Sequence, residues 1–255
     1  MFKYSGAGNT FVVLDGRGKD VSSYRLPETV RDLCRENGTD GLMILLESEK
    51  SDFRMEFFNP DGSTGMMCGN GGRCIAAFAA GLGIRPESEG EYRFEAPDGI
   101  HSARILSTDG EVSMVRLKMA GPEGLRKVGD GWFIDTGTRH FVRFENDVEA
   151  VDVEREGKEI RWSKAFSPEG VNVNFVQRMP DGSITLRTFE KGVERETLAC
   201  GTGAVAAAFV THRAEGGQTF FSSRVHARVA DLLVEHSCEG TFLTGPAQCL
   251  GECGK

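Results

Sequence analysis

Two cysteines stand in the same local setting. Cys68 opens the run Cys68-Gly69-Asn70-Gly71 ahead of an Ala-rich apolar stretch at 75–80, and Cys200 opens Cys200-Gly201-Thr202-Gly203 ahead of a second one, 132 positions later. In each copy loop residues give way to a helical pattern, so the sulfur falls at a helix start. A thiol there meets unpaired backbone N–H groups and the positive end of the helix dipole, both of which favour its thiolate. The repeat reads as an internal duplication with one reactive cysteine in each half.

With one sulfur ionised and the other protonated, such a pair can take a proton from carbon on one face of a molecule and return one to the opposite face. The result is inversion of a stereocentre. An amino acid's α-proton is only weakly acidic, and the N–H groups of Gly69, Asn70, Gly201 and Thr202 at two helix starts are suited to hold a carboxylate as charge develops on it. This chemistry requires the two halves to face each other across a cleft, with a small amino-acid substrate between the sulfurs. Nothing in the sequence announces pyridoxal phosphate, and the expected cofactor is none. Zinc is not expected either. Cys68 and Cys74 are six apart and Cys249 and Cys253 four apart, with no C-x-x-C pair or nearby histidine to complete a tetrahedral set. Cys34, Cys74 and Cys238 read as small packing residues.

The elements that must carry these groups are mostly strands. Residues 2–15 read as one strand entered from the turn Gly6-Ala7-Gly8-Asn9, whose G-x-G lacks the preceding strand and third glycine of a dinucleotide fingerprint. Pro27 opens a helix that Gly38 ends. Strands follow at 42–47 and 52–58, then the Cys68 helix, then strands at 92–95, 100–106 and 112–119. Turn formers at Gly121-Pro122-Glu123-Gly124 mark a junction, giving domains at 1–120, completed by 245–255, and 121–244. The second pass has strands at 132–136, 140–144, 171–177 and 184–189, a solvated helix within 148–163, the Cys200 helix to about 214, and strands near Phe220, at 225–234 and at 241–243. The expected fold class is α+β: two pseudo-symmetric domains, each a mostly antiparallel curled sheet or barrel around a central apolar helix.

A chain of 255 residues, 39% hydrophobic and 27% charged, fits two ordinary globular domains. Its net charge of -8 argues against nucleic acid or an anionic membrane as partner. The apolar runs, such as those at 42–46, 75–80 and 204–210, are far shorter than the ~20 residues a membrane helix needs. Seven cysteines without framework spacing, and an N-terminus without a signal-peptide apolar region, lead to an expectation of free thiols in the cytoplasm.

The motifs F-N-x-D-G-S with M-C-G-N-G-x-R-C, the opening G-x-G-N-x-F-V-x-x-D, and E-K-G ahead of E-T-x-A-C-G-T-G-A resemble those of the diaminopimelate epimerase family over Gly6 to Ala204. The resemblance implies cofactor-independent interconversion of the LL and meso isomers, a role in lysine and peptidoglycan precursor synthesis, and a homodimer in some members. It casts Cys68 as the proton donor and Cys200 as the acceptor for the LL substrate. Asn9, Asn59, Asn172, Gly69-Asn70 and Gly201-Thr202 take the place of substrate contacts, joined by Glu190 and Lys191, while His140 and Glu190 match residues that tune the thiols. The resemblance also implies that the residues from about Gly245 pack on the first domain.

Several positions depart from the family pattern. Ser5 stands where many members have His, Thr10 where Asp is usual, Thr138 for a substrate-binding Asn and Arg139 for Pro. Lys191 takes the place of an Arg expected on the distal carboxylate, without its bidentate fork. The loop from Gly192 to Thr197 is one residue longer. These changes concern the far end of the substrate, so a racemase of another amino acid, such as histidine, is the alternative. A non-catalytic binding protein is a third reading that both intact cysteine motifs disfavour.

Overall fold

Every residue of Leu42–Leu46 is buried, the pattern of a strand covered on both faces. The layers that cover it explain the fold. A computed structural model describes residues 1–88, 90–214 and 216–254, and the chain divides into two units, Met1–Lys118 with Gly245–Lys255, and Met119–Thr244. Lys255 itself lies outside the described residues.

In the first unit, β1 (Phe2–Gly6) and β2 (Asn9–Asp15) form an antiparallel hairpin. The single strand expected over 2–15 is therefore two. Ala7 and Gly8, at φ 54° and 94°, turn the chain back in a left-handed conformation that glycine favours. Helix α1 (Pro27–Asn37) starts with proline in its first turn and ends at Gly38, φ 57°, whose N–H reaches the carbonyls of Arg35 and Cys34. It connects β2 to the parallel β3 (Leu42–Leu46), which pairs antiparallel with β4 (Phe53–Phe58). Helix α2 (Gly69–Gly81) then leads to β5 (Tyr92–Ala96), parallel to β4, and the antiparallel β6 (Gly99–Asp109) and β7 (Val112–Met119) follow. Val12, Leu14, Leu42, Ile44 and Leu46 pack on Val30, Leu33 and Cys34 of α1. The alternate side chains point to the other face, where α2 touches β1, β2, β3 and β6.

The second unit repeats this scheme with β8 (Glu123–Val128), β9 (Gly131–Asp135), β10 (Arg139–Phe144), α3 (Val153–Arg161), β11 (Asn172–Arg178), β12 (Ile184–Glu190), β13 (Arg195–Thr197), α4 (Gly201–Arg213), β14 (Phe221–His226), β15 (Asp231–Ser237) and β16 (Gly240–Glu252). Antiparallel β9–β10 matches β1–β2, and parallel β10–β11 around α3 matches β2–β3 around α1. Antiparallel β11–β12 and parallel β12–β14 around α4 match β3–β4 and β4–β5 around α2. The two units are thus pseudo-symmetric α+β domains. Gly157 lets α3 lie on β12, since a Cβ there would come within 2.4 Å of Phe189 Cβ.

β16 serves both units. Thr241–Thr244 pairs with β15 in the second, while Gln248–Glu252 pairs with β1 in the first. Because β16 also neighbours β7, the strands of the first unit close into an eight-stranded ring around α2. Both central helices are buried nearly all round, including Ile75 and Phe78 in α2 and Val205 and Val210 in α4. Each such side chain contributes ~1.5–3 kcal/mol on leaving water, so the helix starts that carry the cysteines are firmly seated.

Three other expectations are corrected. The segment 225–234 is not one strand but the hairpin β14–β15, turned where Ala227 N–H meets the Ala230 carbonyl at 3.0 Å. β8 begins at Glu123, inside the stretch read as turn formers. Cys238, read as a packing residue, is exposed, whereas Cys34 and Cys74 are buried.

Candidate active site

Each unit places one cysteine at the N-cap of its buried helix. In the first, Cys68 has extended backbone (φ -107°, ψ 154°) and its Sγ accepts the Gly71 N–H at 3.3 Å. The residue is exposed. Behind it the first turn of α2 is braced by Arg73, which has no exposed surface. The Arg73 guanidinium donates to Gly69 O at 3.1 Å, Asn70 Oδ1 at 2.8 Å and Pro246 O at 3.4 Å. Asn70, thereby oriented, donates its amide to Asn9 Oδ1 at 2.6 Å.

The three oxygens that hold Arg73 are neutral, so the guanidinium places a fixed positive charge beneath the helix start. Burial pulls its pKa down, opposed by the charges that Cys74 and Cys68 can carry. Cys74 is fully buried and its thiol is pushed up to about 12 by desolvation, which keeps it neutral. Of the two sulfurs, Cys68 is the one left to respond to this charge.

Asn59 shapes the preceding loop: its N–H meets Ser63 O at 2.8 Å and its amide donates to Ser63 Oγ at 3.0 Å. Gly69 and Asn70 form the first turn of α2.

In the second unit Cys200 caps α4 differently. Its Sγ lies 3.5 Å from Thr202 Oγ1, a neighbour that also accepts the Thr138 hydroxyl at 3.1 Å. Thr136 Oγ1 donates to the Thr202 carbonyl at 3.0 Å, fixing the same turn. Thr138 Oγ1 stands 2.9 Å from His140 Nε2, and the other ring nitrogen of His140 is 3.0 Å from Asn174 Nδ2. Asn174 is itself held by Phe141 O and Thr188 Oγ1, both at 3.0 Å. His140 is completely buried, and desolvation lowers its pKa to about 3. It is a neutral imidazole and acts on its neighbours through hydrogen bonds rather than through charge.

Asn172 ties this turn to the end of β12. Its amide donates to Arg139 O at 3.2 Å and Thr138 Oγ1 at 3.4 Å, and its Oδ1 accepts the Lys191 N–H at 2.8 Å. Glu190 accepts the Thr197 hydroxyl at 2.9 Å, while the Lys191 side chain is exposed. The longer loop forms a hairpin through β13. Glu194 sits in it at φ 59°, accepting the Gly192 N–H at 3.0 Å and pairing with Arg161 at 3.2 Å. Gly203 has no room for a side chain, since a Cβ would lie 2.6 Å from Asn174 Oδ1 and 3.3 Å from Cys200 Sγ.

Within the first unit the structure joins Asn9, Asn70 and the Cys68 helix. Within the second it joins His140, Asn172, Thr202 and Cys200. Arg73, Thr136, Asn174 and Thr188 escaped sequence reasoning. A signal existed for two of them: Arg73 is the one charged residue of α2, and Asn172 and Asn174 share a face of β11, alternating there with Val173 and Phe175. Among the described residues no group of three or more His, Cys, Asp or Glu is placed to hold a metal ion, and no helix is long and apolar enough to cross a membrane.

The family model described as diaminopimelate epimerase matches residues 1–122 and 132–250. The diaminopimelate epimerase of Chlorobaculum tepidum is 42% identical over 258 residues, spanning 96% of this chain and 97% of that protein. That of Flavobacterium psychrophilum is 35% identical over 260 residues, spanning 99% and 98%. Among solved structures, a Bacillus anthracis phenazine biosynthesis protein of the PhzF family superposes with a TM-score of 0.71 at 15% identity, covering 97% of this chain and 95% of that one. A hydroxyproline epimerase from Agrobacterium vitis does so with a TM-score of 0.60 at 16% identity, covering 100% and 90%. The structural likenesses show a shared fold, and the sequence matches go further: the chain belongs to the diaminopimelate epimerase family and is an isomerase.

Proposed function

We propose that this enzyme interconverts LL- and meso-2,6-diaminopimelate by two-base proton transfer at the α-carbon. The observation that carries this reading is the duplicated helix start: each unit puts one cysteine at the N-cap of its buried helix, with a hydrogen-bonding partner beside its sulfur. In the LL-to-meso direction the Cys200 thiolate takes the α-proton and becomes a thiol. The electron pair left on carbon delocalises into the adjacent carboxylate, held by first-turn N–H groups of α2 and α4. The Cys68 thiol then delivers its proton to the opposite face and is left as thiolate, ready for the reverse reaction. Arg73 and the α2 dipole stabilise that thiolate. Asn9, Asn59 and Asn172 serve in this reading as substrate contacts or as braces for them. The same reading takes the enzyme to be a cytoplasmic homodimer that supplies lysine and peptidoglycan precursor synthesis.

Two observations favour a second reading. Thr138, in place of an amide, spends its hydroxyl on His140 and Thr202, and Lys191 is a point charge where a fork is expected. A racemase of another amino acid would tolerate both. Incubation with LL-diaminopimelate, histidine and other amino acids, without added cofactor, separates the two. Conversion of diaminopimelate to the meso isomer is expected; inversion confined to another amino acid would replace the first reading by the second.

A further inference from the structure

Counting protons around Thr138 gives its hydrogen bonds a direction. Asn174 uses its amide on the Phe141 carbonyl and its Oδ1 on the Thr188 hydroxyl, so the same amide must donate to His140 Nδ1. The neutral ring therefore carries its proton on Nε2 and donates it to Thr138 Oγ1. That oxygen also accepts from Asn172 Nδ2, which occupies its second lone pair. The one hydroxyl proton of Thr138 is left to donate to Thr202 Oγ1. Thr202, as acceptor there, keeps its own proton available for Cys200 Sγ, 3.5 Å away.

We propose that Thr138 is a positioning residue that relays the buried imidazole's donor to Thr202 and so fixes a hydroxyl hydrogen on the Cys200 sulfur, favouring its thiolate. The proposal rests on the two-cysteine reading above, because it concerns how one of those sulfurs is prepared. A hydrogen bond donated to the charged form of an acid lowers its pKa. The relay runs one way as long as His140 is neutral, which burial ensures over the whole working range of pH. The carboxylates at this end of the unit are already engaged, Asp135 with the Gly137 N–H and Glu190 with the Thr197 hydroxyl, and Lys191 is exposed. The two sulfurs are therefore prepared by different means, Cys68 by a backbone amide and a buried guanidinium, Cys200 by a chain of hydroxyls ending on an imidazole.

The test uses Thr138→Val, which removes the hydroxyl but keeps the shape, and Thr138→Ser, which keeps it. Thr138 is exposed in a turn; should Val disturb folding, Thr138→Ala makes the same comparison. Native tryptophan fluorescence checks the fold. The first readout needs no substrate: iodoacetamide alkylation of the Cys200 peptide as a function of pH, followed by mass spectrometry. Loss of the hydroxyl should raise the alkylation midpoint by about half to one pH unit, with Ser staying near wild type. The second readout is α-proton exchange, expected to slow roughly tenfold in Thr138→Val with Ser restoring it. An unchanged midpoint in a well-folded Val variant overturns the relay, as does a Ser variant as impaired as Val. Absence of exchange in the wild type, alongside a shifted midpoint in Val, would overturn the functional reading while supporting the relay.

Discussion

Replacing His140 with glutamine should remove about 2 kcal/mol of the stability that the second unit loses between pH 7.5 and pH 5.0. The buried imidazole has a pKa of about 3, against 6.5 for the free side chain. Above pH 6.5 the ring is neutral in folded and unfolded chains alike, and its titration adds nothing. Below 6.5 the unfolded chain takes up a proton that the folded chain refuses, so stability falls as pH falls, until the folded ring also protonates near pH 3. At ~1.4 kcal/mol per pH unit, the loss is about 2 kcal/mol by pH 5 and about 5 kcal/mol across the whole window. Both tryptophans, Trp132 and Trp162, lie in the unit that holds His140, so their fluorescence reports its unfolding. Urea titrations at pH 7.5 and pH 5.0 of wild type and His140→Gln measure the effect. His212 and His236 are also pushed down by burial, and comparing the two proteins cancels their share. The expected result is a wild-type loss about 2 kcal/mol larger than the variant's. Equal losses in the two proteins would refute the claim that this histidine is buried and neutral.

Two further outcomes follow from single contacts. Arg73→Met removes the donors that hold Gly69 O and Asn70 Oδ1; at ~1–3 kcal/mol per orphaned buried acceptor it should lower the melting temperature seen by calorimetry, and loss of the Asn70–Asn9 brace should raise KM. At Glu194, with φ 59°, Glu194→Ala should be less stable than Glu194→Gly by about 1 kcal/mol in urea, although alanine is the better residue elsewhere; both variants lose the Arg161 pair, so the difference isolates the backbone.

Much of this architecture was legible in the chain because local chemistry and packing agree. Pro27 and Gly38 bound α1 where their backbone preferences require, and glycine-flanked cysteines before Ala-rich runs mark helices that must be central. What escaped had no local signature. β8 exposes nearly all its residues at a sheet edge, so no alternation marks it, and β13 is three residues held by its register with β12. The hairpin at 227–230 lacks the usual turn residues. The polar network behind Cys200 joins residues from three strands and a helix, and only folding shows that Asn174 and Thr188 share His140's surroundings. The duplicated cysteines are local, whereas the groups that prepare them are assembled.

The central claim is that two sulfurs, one from each unit, share the proton traffic at one carbon. The most direct measurement is deuterium incorporation at the α-carbon of LL-diaminopimelate in deuterated water, for wild type, Cys68→Ser and Cys200→Ser in parallel. Solvent deuterium in the meso product of the wild type, with turnover lost by about a thousandfold or more in each variant, is the predicted result. Wild-type turnover in either serine variant would contradict it.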